Sequence, residues 1–248
     1  MDKAKTVTTS AFDLTLTESS ETLRLGTDAL LLSAYIKPSK SSSALEIGAG
    51  NGSVSMLVAK RGCFKRIYAL EIQSELYEIM NANVTINGFE ETIAPVNADI
   101  RKINPDVYKG VSVIFSNPPY MKEGAGKSSP TSSKQIARHE VHGGVAEFCA
   151  MASKILKTGG RLYLVYRPDR LESLMHALYS NGFSPKRMTF VHADSEHSPS
   201  SVLTEAVLGG GEALYVTKPL FLKENGFDTE DCKYIYGNGK FPDSFFVK

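Results

Sequence analysis

The chain has 248 residues, 42% of them apolar and 22% charged, a composition that excludes collagen, a coiled-coil rod and an intrinsically disordered protein. This length fits one large domain or two small ones. Lys and Arg number 28 and Asp and Glu 27, a net charge of +1, which disfavours a generally polybasic nucleic-acid-binding protein.

Cysteine usage and the absence of apolar runs predict a cytoplasmic protein. Cys63, Cys149 and Cys232 are odd in number and form no CxxC pair, which argues against a disulfide framework and a zinc site. The first ten residues hold no apolar signal-peptide core, and no run of 18 apolar residues exists to span a membrane. We therefore expect a soluble protein of a reducing compartment.

The N-terminal segment predicts a hairpin followed by a helix. Apolar and polar residues alternate over residues 12–16 and again over 23–25, on either side of a turn at 18–20. Gly26 and the two polar residues after it indicate a helix start, and the helix is expected over residues 29–36.

From residue 44 onward, strand-like and helix-like segments alternate, which is typical of a parallel sheet covered by helices on both faces. The predicted strands are Ala44–Ile47, Arg66–Glu71, Ile93–Val96, Val111–Ser116, Arg161–Tyr166, Lys186–His192 and Glu212–Thr217. The predicted helices are Ser53–Lys60, Ser74–Asn87, Ala146–Leu156 and Asp169–Asn181. We expect an N-terminal extension over 1–43, the main domain over 44–222 and a C-terminal tail over 223–248.

Three glycines at a spacing of two, Gly48, Gly50 and Gly52, follow the first buried strand and precede a helix. Glycine lets the backbone turn sharply and approach a ligand closely, and the helix N-terminus adds a partial positive charge. The dinucleotide pattern GxGxxG would require glycine at Ser53. The loop therefore predicts a ligand other than a dinucleotide, although a plain turn stays open.

Acidic residues lie at the ends of three successive predicted strands, where ligands bind in open α/β sheets. Glu46 precedes the glycine loop, Glu71 follows Gly52 by 19 residues, and Asp99 follows the third strand. Glu71 is placed to accept two ribose hydroxyls, and an acid such as Glu46 suits a cationic amino-acid portion. Together they predict S-adenosylmethionine as the ligand, with a loop-capping role for Glu46 as the alternative.

Asn117, Pro118, Pro119 and Tyr120 form the most specific segment of the chain. The two prolines hold an extended turn and lack N–H donors, so the Asn117 side-chain oxygen and the Pro118 carbonyl are left as acceptors. Two acceptors at one amine favour a pyramidal nitrogen aimed at a methyl donor, and Tyr120 is placed to stack on the planar group that carries the amine. These four residues are the predicted catalytic set.

The Asn117–Tyr120 and Glu46–Gly52 motifs together resemble the class I S-adenosylmethionine-dependent methyltransferases that act on planar nitrogens. Over roughly residues 10 to 222, including Leu23–Leu32, Ile136–Glu140 and Val165–Arg170, the chain is similar to the bacterial tRNA1(Val) (adenine(37)-N6)-methyltransferase family. The resemblance implies a Rossmann-like α/β fold whose seven-stranded, mostly parallel sheet ends in an antiparallel strand. It also implies methylation of adenine N6 in RNA, at tRNA adenine 37.

The resemblance assigns the cofactor-binding residues in groups along the ligand. Those over the methionine end are Thr27 and Asp28; those around its amino-acid portion include Glu46, Gly48 and Gly50; those at the ribose and adenine are Glu71 and Ile72, with Asp99 near the adenine amine. Ala49, Gly52, Ile100 and Asn117 complete the set.

Residues 121–192 hold 11 basic and 5 acidic residues, a net charge of +6 that the near-neutral total conceals. Such a polarised surface suits a folded RNA held through its phosphates. The residues predicted to bind the substrate are Tyr120, Lys122, Lys134, Arg138 and Arg167. The loop at 121–133 either stays solvated or becomes ordered around the RNA when the RNA binds.

Three other functions stay open. Release-factor glutamine N5-methyltransferases share the Asn-Pro-Pro-Tyr motif. They carry a helical substrate domain before the glycine loop, whereas 43 residues precede Ala44 in this chain. Guanine-N2 methyltransferases more usually have Phe at the position of Tyr120, and a non-catalytic S-adenosylmethionine-binding module is the third option. The sequence leaves the oligomeric state unpredicted.

Two apparent motifs do not match their patterns, and rejecting the second also rejects a metal site. A phosphate-binding loop at 124–128 would require glycine at Met121, and His139 and His142 are one residue short of the HExxH zinc spacing. No metal is therefore expected.

Overall fold

The computed structural model describes residues 5–9, 13–18, 25–118 and 144–246, and it consists of one long sheet with helices on both faces. The helices are α1 (Thr27–Tyr35), α2 (Ser53–Lys60), α3 (Ser74–Ile86), α4 (Val145–Ile155), α5 (Leu171–Ser180) and α6 (Glu230–Asn238). The strands are β1 (Lys5–Thr9), β2 (Leu14–Glu18), β3 (Ser43–Ile47), β4 (Arg66–Glu71), β5 (Ile93–Asn97), β6 (Val111–Ser116), β7 (Arg161–Tyr166), β8 (Phe183–His192), β9 (Ser201–Leu208), β10 (Tyr215–Val216), β11 (Leu220–Phe221), β12 (Lys223–Glu224) and β13 (Phe227–Asp228).

Seven long strands form the body of the sheet, in the order β8-β9-β7-β6-β3-β4-β5. All of them run parallel except β9, which is antiparallel to both β7 and β8. Two short strands, β10 and β11, pair with the outer edge of β8. The expected Rossmann-like sheet with an antiparallel last long strand is therefore confirmed.

The sheet is buried on both faces, which explains why its strands are almost continuously apolar. In β6, Val113 and Phe115 pack into the layer that contains α1, α2 and α3, whereas Ile114 packs into the layer that contains α4 and α5. Each strand therefore joins two hydrophobic cores, and the strand ends are left as the place for polar residues.

The N-terminal hairpin lies earlier in the chain than the sequence predicts. β1 pairs antiparallel with β2, and Glu18 is the last residue of β2, so the expected turn at 18–20 is wrong at Glu18. The expected second strand at 23–25 is wrong at Leu25, which lies in a bend; residues 19–24 are outside the described ranges. The polar run around Thr6 and Val7 conceals β1, since β-branched residues favour strands regardless of their polarity.

Two asparagines, Asn83 of α3 and Asn87 directly after it, cover the outer edge of β2. The Thr15 and Thr17 backbone N–H groups donate to the Oδ1 atoms of Asn87 and Asn83 at 2.9 and 2.7 Å. Asn83 is fully buried and also donates to the Asn51 carbonyl of the glycine loop at 3.0 Å. The hairpin is thereby tied to the helix that packs behind the loop.

The antiparallel strand is Ser201–Leu208, and the expected strand at 212–217 is wrong except for the two residues of β10. The pattern conceals β9 because Glu205 interrupts its apolar run. In the structure Glu205 is buried in the middle of the sheet, where basic side chains surround it.

The C-terminal segment after β11 packs on α1. The Tyr35 ring, at the end of α1, contacts the rings of Phe241 and Phe246 at centroid distances of 5.4 and 5.9 Å. The guanidinium carbon of Arg187 lies 4.0 Å from the ring centroids of both Tyr35 and Phe246, so it is held between them. The three-part division of the chain remains a prediction.

Arg187 and Glu205 form the buried centre of an ionic cluster. The Arg187 Nη2 atom lies 3.1 Å from Glu205 Oε2, and both side chains are less than a tenth exposed. Lys37, at 3.2 Å, and Arg161 contact the same carboxylate from the solvent side. The cluster compensates charges that would otherwise be costly to bury.

Glu205→Ala is expected to lower the free energy of unfolding by about 3–5 kcal/mol, because it leaves Arg187 buried without its counter-charge. Urea denaturation measures the change. Glu212→Ala, at an exposed position, is the control and should stay within about 0.5 kcal/mol of wild type. A loss under about 1 kcal/mol for Glu205→Ala would show that the cluster adds little.

Candidate active site

The carboxyl ends of β3 and β6 meet at the point where the strand order reverses. β3 is followed along the chain by β4 on one side, whereas β6 lies on its other side. The Ser116 hydroxyl at the end of β6 donates to the Ile47 carbonyl at the end of β3, at 2.7 Å. In open α/β sheets, this reversal opens a ligand-binding crevice.

The glycine loop after β3 has a backbone that only glycine adopts easily. Gly48, Gly50 and Gly52 have φ angles of +71°, +57° and +82°. The Ala49 N–H donates to the Leu70 carbonyl at 2.8 Å, and α2 begins directly after Gly52. The loop therefore turns at the edge of the sheet and directs the α2 N-terminus toward the crevice.

The space above the loop is open at its first two glycines. A Cβ atom built on Gly48 or Gly50 would meet no atom of the described chain within 4 Å, whereas one on Gly52 would lie 2.9 Å from Met80 Cγ. Gly52 is thus required for packing against α3. Gly48 and Gly50 leave room for a ligand, so the loop fits the predicted S-adenosylmethionine.

Glu46 is buried and is bonded to the first turn of α2. Its Oε2 atom accepts the Ser55 backbone N–H at 3.0 Å and also the Ser55 hydroxyl. Burial raises the pKa of Glu46 from 4.5 to about 8, against the lowering effect of the Ser55 bonds. Burial therefore favours the neutral form of this carboxyl group, and its contact with a cationic part of the ligand remains a prediction.

Glu71 holds the glycine loop and keeps acceptor capacity. Its Oε2 atom accepts the Gly50 N–H and its Oε1 atom the Gln73 N–H, both at 2.8 Å. A carboxylate oxygen has two acceptor sites, so each oxygen has one left for a ribose hydroxyl. The next residue, Ile72, receives a bond from the Asn97 side chain at its carbonyl, at 3.3 Å.

Asp99 is engaged by the neighbouring Arg101. The guanidinium donates to Oδ1 at 2.9 Å and to Oδ2 at 2.7 Å, and the Arg101 backbone N–H donates to Oδ1. This bonding lowers the pKa of Asp99 to about 2. One acceptor site on Oδ2 remains for an adenine amine, while Ile100 is buried in the core.

Asp28 lies in the first turn of α1 and bonds to the start of β9. The Ser201 hydroxyl donates to Asp28 Oδ1 at 3.0 Å. Burial raises the pKa of Asp28, and the Ser201 bond opposes that rise. Thr27, beside it, is hydrogen-bonded to Tyr236 of α6.

Of the predicted catalytic set, the described residues include Asn117 and Pro118, directly after β6. Asn117 is partly buried and Pro118 is buried. The parallel register places Phe115 of β6 beside Glu46 of β3, so Asn117 lies one strand from the glycine loop. Pro119 and Tyr120 are outside the described residues.

Among the predicted substrate-binding residues, Lys122, Lys134 and Arg138 also lie outside the described ranges. Arg167 follows β7, and its guanidinium is paired with Asp169 through contacts of 2.8 and 2.7 Å. RNA binding at Arg167 would therefore compete with an ion pair.

The sequence motifs indicate no role for Ser55, Met80 or Ser201. Ser55 is the third residue of α2, whose N-cap is Gly52, so N-cap preferences do not single it out. Met80 and Ser201 depend on contacts between distant segments, and the strand that begins at Ser201 was itself not predicted.

The described ranges hold no group of three His, Cys, Asp or Glu side chains arranged to bind a metal ion. His139 and His142 fall outside these ranges. Within the same part of the chain, no helix has the length and apolar character needed to cross a membrane.

Comparison with known proteins points to methyltransferases. The family model of the TRM5/TYW2 methyltransferase domain matches residues 36–123. A protein of Phocaeicola vulgatus named tRNA1(Val) (adenine(37)-N6)-methyltransferase is 28% identical over 181 residues, which cover 73% of this chain and 75% of the relative.

Solved structures give the same fold. A predicted O-methyltransferase from Agrobacterium tumefaciens superposes with a TM-score of 0.69 at 21% identity, over 87% of this chain and 97% of that one. M. jannaschii TYW2 in complex with AdoMet has a TM-score of 0.55 at 14% identity, over 84% and 87%. The chain thus has the class I methyltransferase fold, and its resemblance to the tRNA1(Val) (adenine(37)-N6)-methyltransferases is confirmed.

Glu46→Gln should remove a pH-dependent loss of stability. Because the unfolded chain releases the Glu46 proton near pH 4.5 and the folded chain near pH 8, the wild-type unfolding free energy falls between these values through this group. The variant should gain stability relative to wild type as the pH rises from 5 to 8.5, measured by urea denaturation.

The control for this titration is Glu75→Gln, at an exposed position on α3. It should show no such relative gain. A constant difference between Glu46→Gln and wild type across the pH range would contradict the assignment.

Gly48→Ala should weaken binding of S-adenosylhomocysteine at least tenfold, since its Cβ would occupy the open space above the loop. Gly110→Ala is a matched control, because Gly110 also has a positive φ, +105°, and open surroundings but precedes β6 at the opposite edge of the sheet. Both variants should lose roughly 1–2 kcal/mol of stability. Equal affinities by calorimetry would place the ligand elsewhere.

Proposed function

We propose that this protein is an S-adenosylmethionine-dependent methyltransferase that methylates the N6 amine of adenine in tRNA, at position 37 beside the anticodon. The observation that carries the proposal is the position of Asn117, at the end of β6 and one strand from the open glycine loop. The name of the Phocaeicola relative supports the same substrate.

Some site residues bind the cofactor, and others position the target base. When bound, S-adenosylmethionine supplies a methyl group already activated by its sulfonium. Glu71 offers two free acceptor sites to the ribose, and Asp99 offers one to the adenine amine. Asn117 and the Pro118 carbonyl accept the two N–H groups of the target amine and so aim its lone pair.

Asp28 carries the negative charge that suits a cationic ligand. Burial favours the neutral form of Glu46, and Asp99 is paired with Arg101. Within the described residues, Asp28 has no ion pair and accepts one hydrogen bond, from Ser201. We therefore place the ammonium of the methionine portion near Asp28, where burial strengthens the attraction.

The target base must leave its stack to reach Asn117. Enzymes that modify bases splay the nucleotide into a pocket, and a loop base costs little to extrude. The methylated amine then loses a proton to water, because an amide such as Asn117 does not accept one. The basic stretch of residues 121–192 supplies phosphate contacts for the RNA.

We expect the protein to act in the cytoplasm. Cys63, Cys149 and Cys232 are all free and buried. Free thiols of this kind fit a reducing compartment.

Transfer of a tritiated methyl group to macromolecular substrates tests the proposal. Bulk bacterial tRNA should be labelled, and Asn117→Ala should reduce the rate by roughly 100-fold, as expected when a positioned group at the reacting centre is lost. Asn181→Ala, at the end of α5 where it bonds the Ala177 carbonyl, is the control and should retain full activity.

Other substrates separate the alternatives. Label on a release factor but not on tRNA would indicate glutamine methylation. Label on ribosomal RNA alone would favour a guanine-N2 activity. An absence of label on every RNA would contradict the proposal.

A further inference from the structure

We propose that Ser201 is a positioning residue that orients the Asp28 carboxylate toward the bound cofactor. The inference rests on the proposed function. Ser201 is 3% exposed, and its hydroxyl donates to Asp28 Oδ1 at 3.0 Å. Neither β9 nor any role for its first residue follows from the sequence motifs.

The antiparallel direction of β9 is what brings Ser201 to the site. Because β9 runs opposite to β7, its first residues lie beside the last residues of β7: Val202 pairs with Tyr166. The neighbouring strand β6 ends at Ser116, which pairs with Leu164 of β7. Ser201 therefore lies at the edge that carries Asn117, two strands away, or about 10 Å.

Both partners of the bond are held by the rest of the fold. Ser201 pairs with Val191 in β8, and the Ser200 N–H donates to the Val191 carbonyl at 2.8 Å. At the other end of α1, Arg61, directly after α2, donates to the carbonyls of Ser33 and Ile36. The helix and the strand are thus fixed independently, and the hydroxyl sets the direction of the carboxylate between them.

The Ser201 hydroxyl also favours the ionised form of Asp28. Other titratable side chains on the elements packed against α1 are Lys60 of α2, with Arg61 directly after it, Arg161, Tyr163 and Tyr166 of β7, Glu205 of β9, and Glu230, Asp231, Cys232, Lys233, Tyr234 and Tyr236 of α6. The shift in the Asp28 pKa is caused by burial and the Ser201 bond rather than by any of these groups. Loss of the hydroxyl would leave burial unopposed and raise the pKa of Asp28 further.

Calorimetric titration with S-adenosylhomocysteine from pH 5 to 8 tests the proposal. Ser201→Ala should weaken binding about tenfold near pH 6, as expected for a hydrogen bond to a charged group. The pH below which binding is lost, the acid limit, should be higher for this variant than for wild type. The KM for tRNA should be unchanged. A shift of the acid limit would report a change in the pKa of Asp28 itself. A general loosening of β9 would not produce such a shift.

Two variants serve as matched controls. Ser200→Ala removes the neighbouring hydroxyl, which donates to the Val191 carbonyl at 3.3 Å, and Ser201→Thr keeps a hydroxyl at the proposed position. Both should bind within about twofold of wild type with an unchanged pH profile. Equal losses in Ser200→Ala and Ser201→Ala would overturn the specific role of Ser201.

Asp28→Asn keeps the experiment decisive if Ser201→Ala does not fold. This variant retains an acceptor for Ser201 but has no titrating charge, so its binding should be weak and should lose the acid limit. Wild-type affinity and pH profile in either variant would overturn the inference. Failure of wild type itself to bind S-adenosylhomocysteine would instead refute the proposed function.

Discussion

The bond between the Glu71 carboxylate and the Gly50 N–H is the interaction on which the site depends. Glu71 ends β4 and Gly50 belongs to the loop after β3, so one carboxylate joins the ends of two adjacent strands. It compensates a backbone N–H that the left-handed turn leaves without a partner in the sheet. Together with the Ser116 bond to Ile47, it fixes three strand ends around one crevice. The site is therefore formed by the register of the sheet before any ligand binds.

The acids of this crevice differ in what surrounds them, and so in what they do. Glu46 is buried against Ser55, and burial raises its pKa, which makes it part of the loop's framework. The Arg101 guanidinium balances the charge of Asp99. The acceptor site left on Asp99 therefore suits a hydrogen bond to the adenine amine better than attraction of a cation. Asp28, at the start of α1, forms no ion pair within the described residues. The proposed roles of these similar carboxylates therefore differ: a structural group, a hydrogen-bond acceptor and a counter-ion.

The sequence predicted much of the fold and of the site because those features are local. The glycine spacing, the strand-ending acids and the Asn117 motif each lie within a few residues, and all the described members fall at one edge of the sheet. β9 escaped prediction because Glu205 breaks its apolar pattern, and that residue is compensated by basic side chains from other segments, Arg187, Lys37 and Arg161. The raised pKa of Glu46 was not predicted either, since its burial depends on the whole fold.

The proposed function requires the crevice to present an adenine amine in tRNA to the methyl donor. Nucleoside mass spectrometry of tRNA incubated with the protein and S-adenosylmethionine tests this requirement. N6-methyladenosine is expected in the digest, located by fragment mapping at position 37 beside the anticodon. N2-methylguanosine, or a digest without any new methylated nucleoside, would contradict it.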